Sequence, residues 1–445
     1  MVTAPSARGQ WSSGLGFILA AAGSAVGLGN IWRFPYMAGK NGGGAFVLVY
    51  VVCVLAIGLP VMVAEIALGR ATQRDAVGAF AAVRPRSAWL GLGYLAILTG
   101  LGILSYYSVI AGRVVWDCLA YLRSGLSPAA DLAPAGVGSD LLAFAAFLGL
   151  TVLVVAGGIQ RGIERWAKVL MPLLVIIMLA VIVRALLLPG AFDGVRWLFA
   201  PDFSAIGLRT VLDAMAQAFF SLSLGMGAML TYGSYLSRRQ DVLGCAASVV
   251  AFDTGVALLA GLMIFPAVFA FGRDPAAGPT LVFGVLPDVF RAMPGGGVVG
   301  AVFFFLLAVA ALTSTVSLLE VVTAYFVDER GWSRRRAVLT LGALTFVVGV
   351  PSALDFAGHR PWSELSALGQ RGFLSIMDYV WGNLSLAVGS LLLCVFVGWV
   401  WGVRAAVAEV ASSSRVFPRI AGAWSLMVRW VCPLAILAIL LTLVL

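Results

Sequence analysis

Long apolar runs alternate with short polar ones along this chain, and eleven of the runs reach about twenty residues, enough to cross a hydrocarbon core as a helix. They lie at 15–38, 45–69, 88–122, 140–157, 166–188, 209–236, 242–271, 297–327, 336–354, 374–402 and 424–445. Two of these spans are interrupted. Span 1 carries Gly23-Ser24-Ala25-Val26-Gly27-Leu28-Gly29-Asn30-Ile31-Trp32-Arg33-Phe34-Pro35, and span 6 carries Gln217-Ala218-Phe219-Phe220-Ser221-Leu222-Ser223-Leu224-Gly225-Met226-Gly227. A break at bilayer depth frees backbone groups that hydrocarbon cannot satisfy, so it persists only when buried in protein or lining a cavity. Freed carbonyls there suit cations and half-helix N-termini suit anions. A packing kink accounts for one such break; two at corresponding positions five spans apart point to an inverted repeat with a site at its interface.

Composition agrees with this pattern. The 445 residues are 61% hydrophobic and 11% charged, with mean hydropathy +1.02, which predicts an all-α polytopic membrane protein. Arg8 precedes the first apolar run in the manner of a signal peptide, but the run continues into Asn30, Arg33 and Pro35 without a small-residue cleavage site, so a mature helix is expected. The net charge of +9 is not a nucleic-acid patch. Arg70, Arg74, Arg84, Arg86; Arg161, Arg165, Lys168; Arg238, Arg239; Arg334, Arg335, Arg336; and Arg404, Arg415, Arg419 fall in alternate loops. Such a bias marks the cytoplasmic side, placing the N-terminus inside and, after an odd number of spans, the C-terminus outside. Cys53, Cys118, Cys245, Cys394 and Cys432 have no close-spaced pair, which argues against a metal site or a disulfide framework. The only histidine, His359, lies in a loop and no serine or acid pair stands with a base, so an enzyme is not indicated.

Polar residues inside spans are candidates for function. Glu65 in span 2 has either a functional role or a structural one, pairing with backbone N–H groups of a broken neighbour. Tyr106 and Tyr107 lie at mid-depth in span 3 and need partners for their hydroxyls. Gly157-Gly158-Ile159-Gln160-Arg161-Gly162, with Pro172 beyond, forms either a loop and a kink or an inner end of span 5 able to unwind. Asp253 lies in span 7, Thr313-Ser314-Thr315 and Glu320 in span 8, and Asp378 begins span 10. Pro279, Pro287 and Pro294 with Gly295-Gly296-Gly297 predict an outer loop carrying a short helix or two.

With these residues in hand, the chain resembles the neurotransmitter:sodium symporter family, in particular its bacterial amino-acid transporters. The motif from Gly23 to Pro35 followed by Asn41-Gly42-Gly43-Gly44-Ala45-Phe46 is highly specific. Tyr106-Tyr107, Gln217 to Gly227 continuing through Thr231-Tyr232-Gly233-Ser234-Tyr235, and Ala310-Ala311-Leu312-Thr313-Ser314 also match. The resemblance implies a five-plus-five inverted repeat with unwound helices 1 and 6, plus an eleventh helix. Residues 1–14 would be a cytoplasmic segment with inner-gate residues, 15–188 the first repeat, 189–402 the second, and 403–445 an inner loop and helix 11. Eleven spans without long tails match the compact bacterial members.

The resemblance further implies two sodium ions. The first would be held by Ala25, Asn30 and Ser221 with the substrate carboxylate, and the second by Gly23, Val26, Ala310, Thr313 and Ser314. Asp253 either joins the first set where the family has an amide or stands one turn on, where it has an acid or a chloride-compatible residue; in both cases its charge would replace chloride. Gly27 stands where amine transporters carry an acid, so the expected substrate is an amino acid. Its carboxylate would meet Tyr107 and the Leu28 and Gly29 amides, its ammonium the Ala25 and Phe220 carbonyls. The side chain would enter a pocket of Gly27, Ile103, Phe220, Ser223, Met226, Ser314 and Leu318, suited to a hydrophobic or aromatic L-amino acid. Arg33, Asp378 and Gln217 match the outer gate; Arg8, Trp11, Tyr235 and Asp328 match the inner one. Sodium-coupled import in a bacterial inner membrane is the function implied. A non-transporting sensor of the same fold would carry the same residues and differ only in failing to accumulate substrate.

Overall fold

The structure, a computed structural model, describes residues 9–127, 136–278 and 280–444. Among these, nine continuous helices are long and apolar enough to cross a membrane: Gly44–Thr72, Leu90–Arg123, Val137–Ala156, Ile159–Leu186, Val242–Ala270, Gly296–Asp328, Arg334–Phe356, Phe373–Val400 and Phe417–Leu443. They are spans 2 to 5 and 7 to 11. A bent pair, Gly14–Ala25 and Gly29–Lys40, meeting at 51°, forms span 1. Span 6 is Leu208–Ser221 and Ala228–Ser234 around a six-residue break. Arg8 and Pro279 lie outside the described residues.

Two starts read from the sequence are corrected. Span 5 begins at Ile159 rather than 166, because Ile159–Glu164 is wound as a π-helical turn continuous with the helix through Pro172; Gln160, Arg161 and Glu164 place this turn outside the apolar run that sets the expected start. Gly157 and Gly158 make the turn before it, Gly158 at φ +79°. Span 11 begins at Phe417, where Pro418 occupies the first turn, a position that needs no backbone N–H. One exception to the all-α pattern is a two-residue hairpin, Ser366–Ala367 with Gln370–Arg371, between spans 9 and 10. The outer loop after span 7 does carry short helical pieces, Leu281–Val285 and Leu286–Ala292.

Burial sorts the spans into a centre and a ring. In spans 3 and 8, 83% of the most apolar window is buried by protein, against 22% in span 11. Spans 3 and 8 therefore line the core, and span 11 turns its leucines to lipid. Local capping fixes several starts: Ser13 accepts from Gly16 N–H at 3.0 Å before span 1, and Asp75 accepts from Val77 N–H at 2.9 Å before the loop helix Ala76–Val83. Such caps satisfy helix N-terminal donors that otherwise lack partners. All five cysteines are buried free thiols.

Candidate functional site

The two breaks lie side by side, and each is held by side chains from other spans. In span 6, Ser223, Gly225 and Gly227 take φ of +54°, +83° and +74°, a left-handed region open to glycine at little cost. Ser223 is the strained member, and its hydroxyl donates to the Ser24 carbonyl in span 1 at 3.0 Å. Glu65 accepts from Gly225 N–H at 2.7 Å, so its structural reading is the one the geometry carries. In span 1, Val26 is extended, Tyr107 accepts from Leu28 N–H at 2.9 Å, and Gln217 donates to the Gly29 carbonyl at 2.9 Å.

Between the breaks is a cavity lined by Ser24, Ala25, Gly27, Gly29, Ile103, Tyr107, Phe220, Ser223, Met226, Ser314, Leu318 and Leu386. Ten of these were expected from the sequence; Leu28 and Ser221 adjoin the lining, while Ser24 and Leu386 are additions. Gly27 is required by contact: a Cβ there would lie 2.4 Å from Ser314 Oγ and 2.7 Å from the Tyr107 hydroxyl. A larger residue would fill the cavity's polar end.

Two oxygen clusters flank the cavity. In the first, Asn30 Nδ2 donates to Asp253 Oδ1 at 2.7 Å and to Ser221 Oγ at 3.0 Å, Ser221 Oγ donates to Asp253 Oδ2 at 2.7 Å, and the Tyr50 hydroxyl lies 3.3 Å from Ser221. Asp253 is wholly buried, and none of the ion pairs among the described residues includes it. A buried carboxylate without a counter-charge is costly, so this set fits a bound cation. In the second, Thr313 Oγ1 donates to the Ala310 carbonyl at 2.9 Å and reaches the Val26 carbonyl at 3.5 Å, while Ser314 Oγ donates to Val26 at 3.1 Å. Gly23 faces Thr313 closely enough that a Cβ would come within 3.1 Å of its Cβ. Carbonyls and hydroxyls without an acid suit a weakly held hard cation.

On the outer side Phe220 roofs the cavity, with the Arg33 guanidinium 4.3 Å above its ring. Arg33 donates to Asn383 Oδ1 at 2.9 Å, and Asn383 donates onward to Asp378 Oδ2 at 3.2 Å, as does Tyr106 to Asp378 Oδ1 at 2.8 Å. The expected pair is therefore linked through an amide. Asn383 was missed because a five-residue spacing shares a face only on a π-helical turn, here Asp378–Leu384. On the inner side Trp11 donates through Nε1 to the Tyr232 carbonyl at 2.9 Å and through its backbone to Tyr235 at 3.2 Å. Tyr235 donates to Glu320 at 2.8 Å, and Arg334 pairs with that carboxylate. Asp328 ends span 8.

With this geometry in hand, the likeness to known proteins has a structural counterpart. The sequence profile described as "Sodium:neurotransmitter symporter family" matches residues 8–131 and 132–445. An uncharacterized sodium-dependent transporter of Bacillus subtilis (strain 168), YhdH, is 39% identical over 446 residues, covering 98% of this chain and 97% of the relative. A second, from Haemophilus influenzae, is 34% identical over 458 residues, covering 99% of both. The solved structure of MhsT in complex with L-phenylalanine is similar with TM-score 0.88 and 43% identity over 98% of this chain and all of that one.

Proposed function

For a chain that belongs to the sodium:neurotransmitter symporter family, and is thus a multi-pass membrane transporter rather than an enzyme, we propose sodium-coupled import of a hydrophobic or aromatic L-amino acid by alternating access. The observation that carries the proposal is the cavity between the two breaks, polar at the Gly27 end and apolar along Ile103, Met226, Leu318 and Leu386, with an uncompensated carboxylate beside it. The L-phenylalanine bound to MhsT supports the substrate class. In this reading the substrate carboxylate meets the Tyr107 hydroxyl and the Leu28 and Gly29 amides, where a half-helix N-terminus favours negative charge. The ammonium meets the Ala25 and Phe220 carbonyls. Gly27, Phe220, Ser223, Met226, Ser314 and Leu318 shape the side-chain end.

Two sodium ions travel with it. Ala25, Asn30, Ser221 and Asp253 hold the first together with the substrate carboxylate, so that each strengthens binding of the other. Gly23, Val26, Ala310, Thr313 and Ser314 hold the second, joining span 1 to span 8. The Asp253 charge takes the place of chloride, making transport chloride-independent. Arg33, Gln217 and Asp378 with Phe220 gate the outside; Arg8, Trp11, Tyr235 and Asp328 gate the inside. The arginine-bearing loops put the N-terminus in the cytoplasm and the C-terminus outside, with the repeats at 15–188 and 189–402.

Binding of labelled tryptophan, leucine and phenylalanine to the purified protein, compared in sodium and in potassium, tests the site. Accumulation in proteoliposomes under an inward sodium gradient tests transport. Sodium-dependent binding lost in Asn30→Ala, with uphill uptake, is the expected result. Binding indifferent to sodium would overturn the coupling, and binding without accumulation would make the protein a sensor.

A further inference from the structure

Where spans 10 and 11 cross, an arginine stands outside everything described so far. The backbones nearly touch: a Cβ on Gly398 would lie 3.2 Å from Arg429 Cγ and 3.5 Å from its Cα. Arg429 is therefore level with the last turn of span 10, which ends at Val400. That turn lies toward the side of the bundle that carries the arginine-bearing loops, because the Phe396 ring packs 4.8 Å from Phe80 of the loop helix Ala76–Val83 and 5.4 Å from Trp89 at the start of span 3.

The Arg429 guanidinium enters none of the hydrogen bonds or ion pairs among the described residues, and its Nε is buried without a partner. The guanidinium stands over the Trp399 ring, 5.7 Å from its centroid. Trp399 meets Trp430 edge to face at 5.4 Å, and the two rings are 41% and 55% exposed. Toward the loop, Arg404, Arg415 and Arg419 are exposed. From residue 384 to the end of the sequence the only acid is Glu409, and Arg70 already holds it at 2.7 Å. Toward the bilayer, Leu434, Leu437 and Leu441 are exposed.

A guanidinium half-withdrawn from water needs an anion, and phosphate oxygens match its fork with two parallel hydrogen bonds. Tryptophan rings prefer the headgroup level, and leucines one to three turns further on suit acyl chains. Four arginines against one already paired glutamate favour a net negative headgroup. We propose that the crossing of spans 10 and 11 is a binding site for an anionic phospholipid, its phosphate on Arg429, its glycerol region on Trp399 and Trp430, and a chain along Leu434 and Leu437.

Native mass spectrometry of the full chain, released from detergent with added phosphatidylglycerol or phosphatidylcholine of identical chains, reads the site directly. The wild type should retain more phosphatidylglycerol, and Arg429→Gln should lower that retention about fivefold, the effect of one basic contact near a membrane surface. Arg371→Gln, in the hairpin between spans 9 and 10, should leave it unchanged. Arg429→Lys, which keeps the charge without the fork, should retain an intermediate amount and serves should the glutamine variant fold poorly. Millimolar inorganic phosphate should not displace the lipid. Equal retention of the two lipids by the wild type, unchanged retention in Arg429→Gln, or displacement by phosphate would each overturn the proposal.

Discussion

Replacing Asp253 by asparagine changes one charge at nearly constant volume. The wild-type carboxylate is fully buried and takes 2.7 Å hydrogen bonds from both Asn30 and Ser221, so the variant keeps one acceptor and turns an N–H toward the other donor. A unit charge about 4 Å from a cation is worth roughly 4 kcal/mol at an effective dielectric near 20. The amide oxygen retains part of that attraction as a dipole, leaving a net loss of about 2 kcal/mol, or about thirtyfold in sodium affinity. Amino-acid affinity in limiting sodium should fall by the same factor, since linkage is reciprocal. Chloride should now matter: it can supply the lost charge, so the variant should bind better in chloride than in gluconate while the wild type is indifferent. Scintillation-proximity titration of sodium at fixed labelled tryptophan, and of tryptophan at limiting sodium, each in both anions, measures all three quantities. An unchanged sodium midpoint in the variant, or wild-type binding that collapses in gluconate, would refute the reasoning.

Three further substitutions follow from contacts already given. Gly27→Ala places a Cβ 2.4 Å from Ser314 Oγ and 2.7 Å from the Tyr107 hydroxyl, so those groups must move; overpacking of this kind typically costs ~1–3 kcal/mol, read as a lower thermal midpoint of the apo protein, and equilibrium binding should weaken because the displaced groups line the cavity. Tyr107→Phe removes the acceptor for Leu28 N–H and the proposed carboxylate contact, so affinity should drop about tenfold, or ~1.4 kcal/mol; unaltered affinity would remove Tyr107 from the site. Arg70→Met deletes a fully buried guanidinium that donates to Glu409 at 2.7 Å, to the Gln240 carbonyl at 2.6 Å and to Ser413 at 2.6 Å. Because Glu409 is 16% exposed and can recover some water, the loss should be roughly 2–3 kcal/mol of stability, read as a lower thermal midpoint in detergent with substrate selectivity intact.

Hydropathy placed the spans within a few residues wherever a polar loop truly ended a helix. It erred at Ile159 and Phe417, where the helix continues into charged residues beyond the apolar run and only backbone hydrogen bonding marks the start. The two breaks were legible because glycine and hydroxyl clusters have little reason to interrupt an apolar run otherwise, whereas apolar lining positions such as Ile103, Met226 and Leu318 were legible only through the family resemblance. Leu386 was not, since one leucine among many in span 10 carries no local signal. Asn383 was hidden by periodicity, its pairing with Asp378 needing a π-helical turn that a 3.6-residue repeat does not anticipate. Glu320 had no readable partner because Tyr235 and Arg334 reach it from different elements.

The same side chains that line the site also hold the broken backbone in place, and this bears on coupling. Leu28 N–H donates to Tyr107, Gly27 N–H to Asn30 at 3.1 Å, and the Val26 carbonyl accepts from Ser314. A sodium ion or substrate that engages Tyr107, Asn30 or Ser314 therefore acts on a group that also bonds the break in span 1, since a hydroxyl or amide oxygen has the capacity to hold ligand and backbone at once. Each ligand then changes the free energy of the unwound segment itself, and a second ligand binds a backbone already biased by the first. Differential stabilisation of this kind is what lets binding shift a conformational equilibrium. Glu65 holds Gly225 N–H outside the ligand shell, leaving span 6 the steadier half of the site. Ligand-induced changes in amide exchange should accordingly be larger across residues 25–30 than across 223–227, and the reverse order would place the moving element in span 6 instead.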